Sequence, residues 1–230
     1  MSLRSKLETV QWVRNPAACT RFPRVFGITG KQGTTPPCHH LNQVHGTQIL
    51  LASSITQNPP PDGDGIFLWE TSGTVAVETA DCVPVLLTSA RHPFVMAIHA
   101  GWKGMVQGIL AQGVETAARY QIPAEDLYAV IGPAIGASKF EVGPEVLEAF
   151  SRADAPGLEW SQLKGADDRW HLDLQQLTVF SLLQAGMEAE HLSVVRSCTY
   201  LDATQWHSYR REGPAAEGVK GGRNWSWVSL

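Results

Sequence analysis

Three side chains with metal-binding chemistry stand at the ends of short apolar runs that read as strands. His45 precedes Gly46, His99 precedes Ala100-Gly101, and Cys82 follows the run Thr74 to Thr79 and precedes Val83-Pro84. Imidazole and thiolate are favoured donors for Zn2+, and a catalytic zinc keeps three protein ligands plus one open position. Strand ends that converge on one rim can hold such ligands on a rigid frame even when they are distant in the chain. The same residues also have plainer readings. A buried cysteine serves as a small core residue, and a strand-end histidine as a hydrogen-bonding group. The spacing is neither Cys-x-x-Cys nor His-Glu-x-x-His, so spacing alone leaves both readings open.

Other clusters carry less chemistry. Cys38-His39-His40 has metal-binding side chains but no partner motif. Asp62-Gly63-Asp64-Gly65 resembles a calcium loop only in part, because position 73 is Gly73 where the bidentate glutamate belongs. The turn Gly132 to Gly136 lacks the Lys-Ser/Thr of a phosphate-binding P-loop. The remaining histidines, His92, His171, His191 and His207, read as surface or hydrogen-bonded residues.

The elements that position the three candidates follow from local pattern. Strands are expected around Arg24 to Thr29, from Gln43 through Ile49, Leu50 and Leu51, and at Thr74 to Thr79, Phe94 to Ile98, Leu127 to Ile131 and Leu192 to Arg196. Pro84 predicts a bend between Ala80 and Leu87 rather than a central strand. Apolar residues at Val106, Ile109, Leu110, Val114 and Ala117 predict one amphipathic helix after Gly101-Trp102-Lys103-Gly104. Pro144 opens a second helix that runs to about Arg152. Asp173 with Gln176 caps a third, which Gly186 stops. The residues after Arg196 read as a long irregular tail. Strands and helices mix without strict alternation, so the class is α+β: a single domain, 1–230, with a central mixed β-sandwich or sheet flanked by helices.

Composition bounds the function. The chain has 230 residues, 43% hydrophobic and 17% charged, as in a globular protein with a sizeable core. A formal net charge of −4 disfavours a nucleic-acid partner. The segment from Arg196 to Arg223 is nonetheless mildly basic, which leaves room for a local anion site. No run approaches a membrane span, and no apolar signal core follows the first charged residues. A cytoplasmic, reducing location is expected, with Cys19, Cys38, Cys82 and Cys198 unpaired.

Several longer blocks are more specific. Asn42-Gln43-Val44-His45-Gly46, Thr79-Ala80-Asp81-Cys82-Val83-Pro84-Val85 and Ile98-His99-Ala100-Gly101-Trp102-Lys103-Gly104 resemble the signature blocks of the YfiH/laccase-domain family. Ile131 to Gly136, Phe140 to Gly143, Leu172 to Leu174, Cys198-Thr199 and Ser208 to Arg211 continue the resemblance in the family's order. Members are described as polyphenol oxidases and as purine nucleoside phosphorylases with adenosine deaminase activity. The resemblance implies that His45, Cys82 and His99 bind one catalytic zinc. Two departures stand out. Lys103 replaces the family's arginine after tryptophan, which keeps the charge but loses the planar two-point grip on an oxyanion. Thr29-Gly30-Lys31-Gln32-Gly33 lacks the arginine of the family's N-terminal stretch, and the segment leading to His45 is short.

The implied partners are purine nucleosides and phosphate, in a monomer or homodimer. Lys103, Arg210 and Arg211 are the candidate phosphate-binding side chains, with the amides of Gly101 to Gly104 as a helix-terminal anion site. For deamination, a zinc-bound water would carry a lowered pKa, and a carboxylate must move protons. Asp81, beside Cys82, is the nominee, with a turn-forming aspartate as the plainer reading. Two other activities compete. A copper-dependent polyphenol oxidase would exploit the readiness of these donors to accept Cu2+, but a multicopper centre needs more imidazoles than eight histidines with no His-x-His pair readily supply. A thiol hydrolase or deamidase would use Cys82 as nucleophile and His99 as base, and the implied fold resembles that of toxin deamidases with a Cys-His pair. His45 separates the two, because a metal site needs it and a dyad does not.

Overall fold

Short runs rich in valine, isoleucine and leucine form the strands, and the computed structural model describes residues 3–214 and 221–230. The N-terminal half contains α1 (Leu3–Lys6), β1 (Gln11–Val13), β2 (Phe26–Thr29), β3 (Ile49–Leu51), β4 (Gly65–Trp69) and β5 (Thr74–Thr79). There follow β6 (Val83–Ser89), β7 (Phe94–Ala100), α2 (Trp102–Val106), α3 (Ile109–Arg119) and β8 (Leu127–Ile131). The rest comprises β9 (Glu141–Val142), α4 (Pro144–Arg152), α5 (Leu158–Ser161), β10 (Gln162–Lys164), β11 (Trp170–Leu172), α6 (Leu174–Gln184), β12 (Leu192–Val195), α7 (Tyr209–Glu212) and β13 (Asn224–Ser229).

A seven-stranded mixed sheet, ordered β1-β12-β8-β6-β7-β4-β3, is the frame of this α+β fold. Its central strands β6 and β7 are buried along their whole length. Because side chains alternate across a strand, Val85, Leu87, Met96 and Ile98 face one apolar cluster while Leu86, Val95 and Ala97 face another. Helices α3, α4 and α6 contribute to the first cluster. The second is closed by Val75, Val77 and Val228 from an antiparallel sheet ordered β2-β13-β5. A small third sheet, β10-β11-β9, is antiparallel as well. Helices thus cover one face of the frame, and a second sheet packs on the other.

Three expectations need correction. Pro84 does not bend the chain out of the sheet: it sits opposite His99 inside β6. Its carbonyl accepts from the Gly132 amide at 2.8 Å, just past the end of β8, and the Gly132 carbonyl that its missing N–H leaves unmet accepts from Gln175 Nε2 at 2.7 Å. The helix expected after Gly101 is two helices, because Gly108 adopts φ 87° between α2 and α3. The tail after Arg196 is not irregular throughout, since it contains α7 and β13, the middle strand of the second sheet. In β13 the small polar residues Asn224 and Ser226 face inward while Trp225 and Trp227 stand half-exposed, the reverse of the usual alternation.

Among the described residues no helix is long and apolar enough to cross a membrane. The helix over Leu174–Gln184 depends on its cap: Asp173 Oδ1 accepts from the Gln176 amide at 2.9 Å, and Oδ2 pairs with Arg196 at 2.6 Å. Asp173→Ala is expected to cost about 1–2 kcal/mol of stability, read by urea denaturation. An unchanged midpoint would contradict this role for the cap.

Candidate metal centre

Backbone pairing places His99 and Cys82 side by side. His99 lies in β7 opposite Pro84, and Val83 pairs with Ala100, so Cys82 at the start of β6 sits beside Gly101. Gly101 has an ordinary extended conformation, φ −74° and ψ 157°. Its lack of a side chain is what matters. A Cβ there would stand 2.6 Å from His45 Nδ1 and 3.2 Å from Cys82 Sγ. The glycine therefore makes the hollow in which the imidazole and the thiol approach each other.

His45 arrives from a loop, and a buried carboxylate delivers it. Asp64, 1% exposed, immediately precedes β4. Its Oδ1 accepts from the His45 amide at 3.0 Å, and its Oδ2 accepts from the amides of Gly46 at 2.7 Å and Val44 at 3.2 Å. These bonds hold His45 at φ 59°, a conformation uncommon outside glycine. Gln43 ties the same loop to β5 by donating to the Glu78 carbonyl at 2.7 Å and accepting from its amide at 2.8 Å. Asp64 Oδ1 also lies 2.7 Å from His99 Nδ1, while the His99 amide donates to the Asp64 carbonyl at 2.7 Å. With Nδ1 engaged, His99 presents Nε2 to the hollow, as a metal-binding histidine oriented by a carboxylate does.

The donor atoms of His45, Cys82 and His99 lie within 4.8 Å of one another, and among the described residues they form the one such group of three or more. Cys38, His39 and His40 form none; His40 packs edge-on against Trp225 instead. Burial pushes the Cys82 thiol up, but the charge of His99 and hydrogen bonds with both histidines outweigh it and bring the thiol below its usual value. Burial pushes His99 down, yet Cys82 and Asp64 outweigh that and raise it. Burial likewise raises Asp64, and its bonds with His99 and with the loop amides more than offset this, so it stays ionised at neutral pH. The thiolate, the form that ligates metal, is thus favoured. Two imidazoles and a thiolate around a hollow with no side chain in it fit a metal ion.

The triad opens into a cavity of about 670 Å³, with Trp102, Phe140 and Tyr209 among its walls and Lys103, Arg210 and Arg223 among its cations. Lys103 is exposed, its Nζ 5.8 Å from the Trp102 ring centroid. Arg210 stacks over Phe140 at 5.6 Å and donates from both terminal nitrogens to the Glu141 carbonyl, each at 3.1 Å. Arg211 is different. It does not line the cavity; its guanidinium donates to the carbonyls of Thr199, Tyr200 and Trp206 and pairs with Glu212. Asp81 lines the cavity, but both carboxylate oxygens accept hydrogen bonds, from Thr199 and from the Arg210 amide. The stretch Thr29 to Gly33 also stays outside it, with the Lys31 amide donating to Gln205 and its ammonium pairing with Glu212. The helix at Trp102 is only five residues long, too short to form the helix-terminal anion site expected at Gly101 to Gly104. Sequence reasoning weighed Asp64 only as part of an incomplete calcium loop, and reached Arg223 only as the end of the mildly basic Arg196 to Arg223 segment.

Residues 27–230 match the protein family described as multi-copper polyphenol oxidoreductase laccase. The chain belongs to this laccase-domain family. It is 32% identical over 197 residues to a purine nucleoside phosphorylase of Bacteroides thetaiotaomicron, covering 82% of this chain and 71% of that one. It is 38% identical over 175 residues to the purine nucleoside phosphorylase YfiH of Escherichia coli, covering 75% and 68%. The laccase-domain fold recurs in the crystal structure of Neisseria meningitidis protein NMB0706, with a TM-score of 0.73, 32% identity, and coverage of 84% and 75%. The Bacillus licheniformis protein YfiH gives a TM-score of 0.73 at 25% identity, covering 83% and 73%.

Two substitutions test this geometry. Gly101→Ala is expected to leave cooperative unfolding in place while weakening Zn2+ affinity roughly tenfold or more, and Asp64→Asn to weaken it about 10–100-fold. Competition with a chromophoric chelator reads both. Unchanged affinity in both variants would contradict the arrangement of the hollow.

Proposed function

We propose that this chain is a zinc-dependent purine nucleoside phosphorylase acting on adenosine, inosine, guanosine or methylthioadenosine with inorganic phosphate. The observation that carries the reading is the His45–Cys82–His99 hollow opening into a cavity that also contains Lys103, Arg210 and Arg223. Relatives at 32% and 38% identity named purine nucleoside phosphorylase support the same reading.

In phosphorolysis a phosphate oxygen bonds to the ribose C1′ as the bond from C1′ to the purine nitrogen breaks. The purine leaves with the electron pair and takes up a proton. Positive charge builds on the ribose and negative charge on the base, so fixed charges at both ends favour the transition state. Lys103, Arg210 and Arg223 hold the phosphate, while Trp102 packs against the purine and keeps water from it. Asp64 holds His99 in one orientation and His45 at the hollow. His45, Cys82 and His99 would hold Zn2+, which would supply Lewis-acid stabilisation of developing negative charge.

One observation favours a second reading. Asp64, His99 and Cys82 form an acid–imidazole–thiol row of the kind that activates a cysteine nucleophile. His45 counts against it, since the row alone has no use for a second imidazole at the sulfur. A multicopper oxidase finds less support, as one three-residue donor group is present among the described residues.

Chromatography of adenosine incubated with zinc-loaded protein, with and without phosphate, separates the readings. Adenine with ribose-1-phosphate, formed only with phosphate and abolished by a chelator, is the expected result. Inosine with ammonia, independent of phosphate, would assign deamination instead. Absence of nucleoside turnover, with hydrolase activity lost to alkylation whether or not zinc is present, would assign the thiol enzyme.

A further inference from the structure

Asp81 touches more of the cavity's surroundings than a proton-transfer group needs to. The residue is 9% exposed and holds φ 92°, so the chain turns sharply just before Cys82. Its Oδ1 accepts from the buried Thr199 hydroxyl at 2.6 Å, its Oδ2 accepts from the Arg210 amide at 2.7 Å, and its carbonyl accepts from the Ile135 amide at 3.0 Å. One residue therefore joins four segments: the approach to β6, the turn after β8, the segment following β12, and the start of α7. Arg210 is the member of that set whose charge faces the cavity. It is fixed at two points, by its amide on Asp81 and by its guanidinium on the Glu141 carbonyl. Of its five guanidinium donors, two are used there, and the others remain for an oxyanion.

We infer that Asp81 is a positioning residue, which by binding Thr199 and the Arg210 amide sets the Arg210 guanidinium to receive phosphate, and that it does not shuttle protons. The inference rests on the phosphorolysis reading above. Both carboxylate oxygens accept bonds from groups that do not exchange protons with substrate. A shuttle needs an oxygen that reaches the reacting atom, whereas Asp81, though it lines the cavity, turns one oxygen to Thr199 and the other to the Arg210 amide. Arg211 completes the arrangement from outside by holding the carbonyls of Thr199 and Tyr200, each at 2.6 Å.

Asparagine separates the two roles. Its amide nitrogen can donate to the Thr199 hydroxyl, which also accepts, while its oxygen accepts from the Arg210 amide. Asparagine also tolerates positive φ, so the turn survives. It cannot titrate. In the zinc-loaded protein, Asp81→Asn is expected to raise KM for phosphate about three- to tenfold, with kcat within about threefold of the unaltered enzyme. Asp81→Ala, which leaves the Arg210 amide without its acceptor, is expected to raise it about 30-fold or more. Bound zinc and the KM for nucleoside should stay the same in both. A loss of about 10²–10⁴-fold in kcat for Asp81→Asn, with KM for phosphate unchanged, is the signature of a lost proton-transfer group and would overturn the inference. Because Asp81→Asn keeps a hydrogen bond to each native partner, with the one to Thr199 reversed in direction, it decides the matter even if the alanine variant does not fold. Absence of phosphate-dependent turnover in the unaltered protein would instead overturn the phosphorolysis reading, and this inference with it.

Discussion

A buried aspartate joins the two histidines of this site. Asp64 is almost wholly buried and charged, which is tolerable only because its oxygens receive hydrogen bonds. Four groups face it: the amides of Val44, His45 and Gly46, and the imidazole of His99. The bonds that satisfy the charge also assemble the site, since one set orients a strand histidine and the other folds a loop histidine toward it. Remove the carboxylate and the loop keeps no reason to hold His45 at positive φ.

Around that contact the fold supplies rigidity. The pairing of β4 with β7 continues past its last register pair, with the His99 amide bonded to the Asp64 carbonyl. The pairing of β6 with β7 brings Cys82 to Gly101. Three of the four ligand and orienting residues, His99, Cys82 and Asp64, are thereby fixed at the ends of neighbouring strands whose interiors are packed on both faces. Strain is confined to the loop side, at His45 with φ 59° and at Asp81 with φ 92°, where hydrogen bonds to side chains hold it. Asp64 and Asp81 act alike in one respect. Each accepts from backbone amides at the cavity, three at Asp64 and one at Asp81, and so ties a neighbouring segment in place.

The sequence blocks made the three donors legible, because their neighbours are unusual, not because of their spacing. The α+β class and six of the thirteen strands among the described residues followed from apolar runs and turn residues. Other features were hidden for definite physical reasons. Asp64 sits in Asp-Gly-Asp-Gly, where turn chemistry masks a buried carboxylate. Pro84 reads as a strand breaker, yet Gln175 meets the Gly132 carbonyl that its missing donor leaves unmet. In β13 the tryptophans point away from the core and asparagine and serine point in, so alternation by polarity marks no buried face. Arg210 and Arg211 are indistinguishable as neighbours in the chain, and only three-dimensional contacts separate an arginine stacked at the cavity from one that clamps carbonyls.

The account stands on His45, Cys82 and His99 binding one ion together. X-ray absorption at the zinc edge of the reconstituted protein tests this most directly. One sulfur at about 2.3 Å and two imidazole nitrogens at about 2.0 Å, at one zinc per chain, are the predicted result. A first shell without sulfur, or the same spectrum after replacing Cys82 by serine, would contradict it.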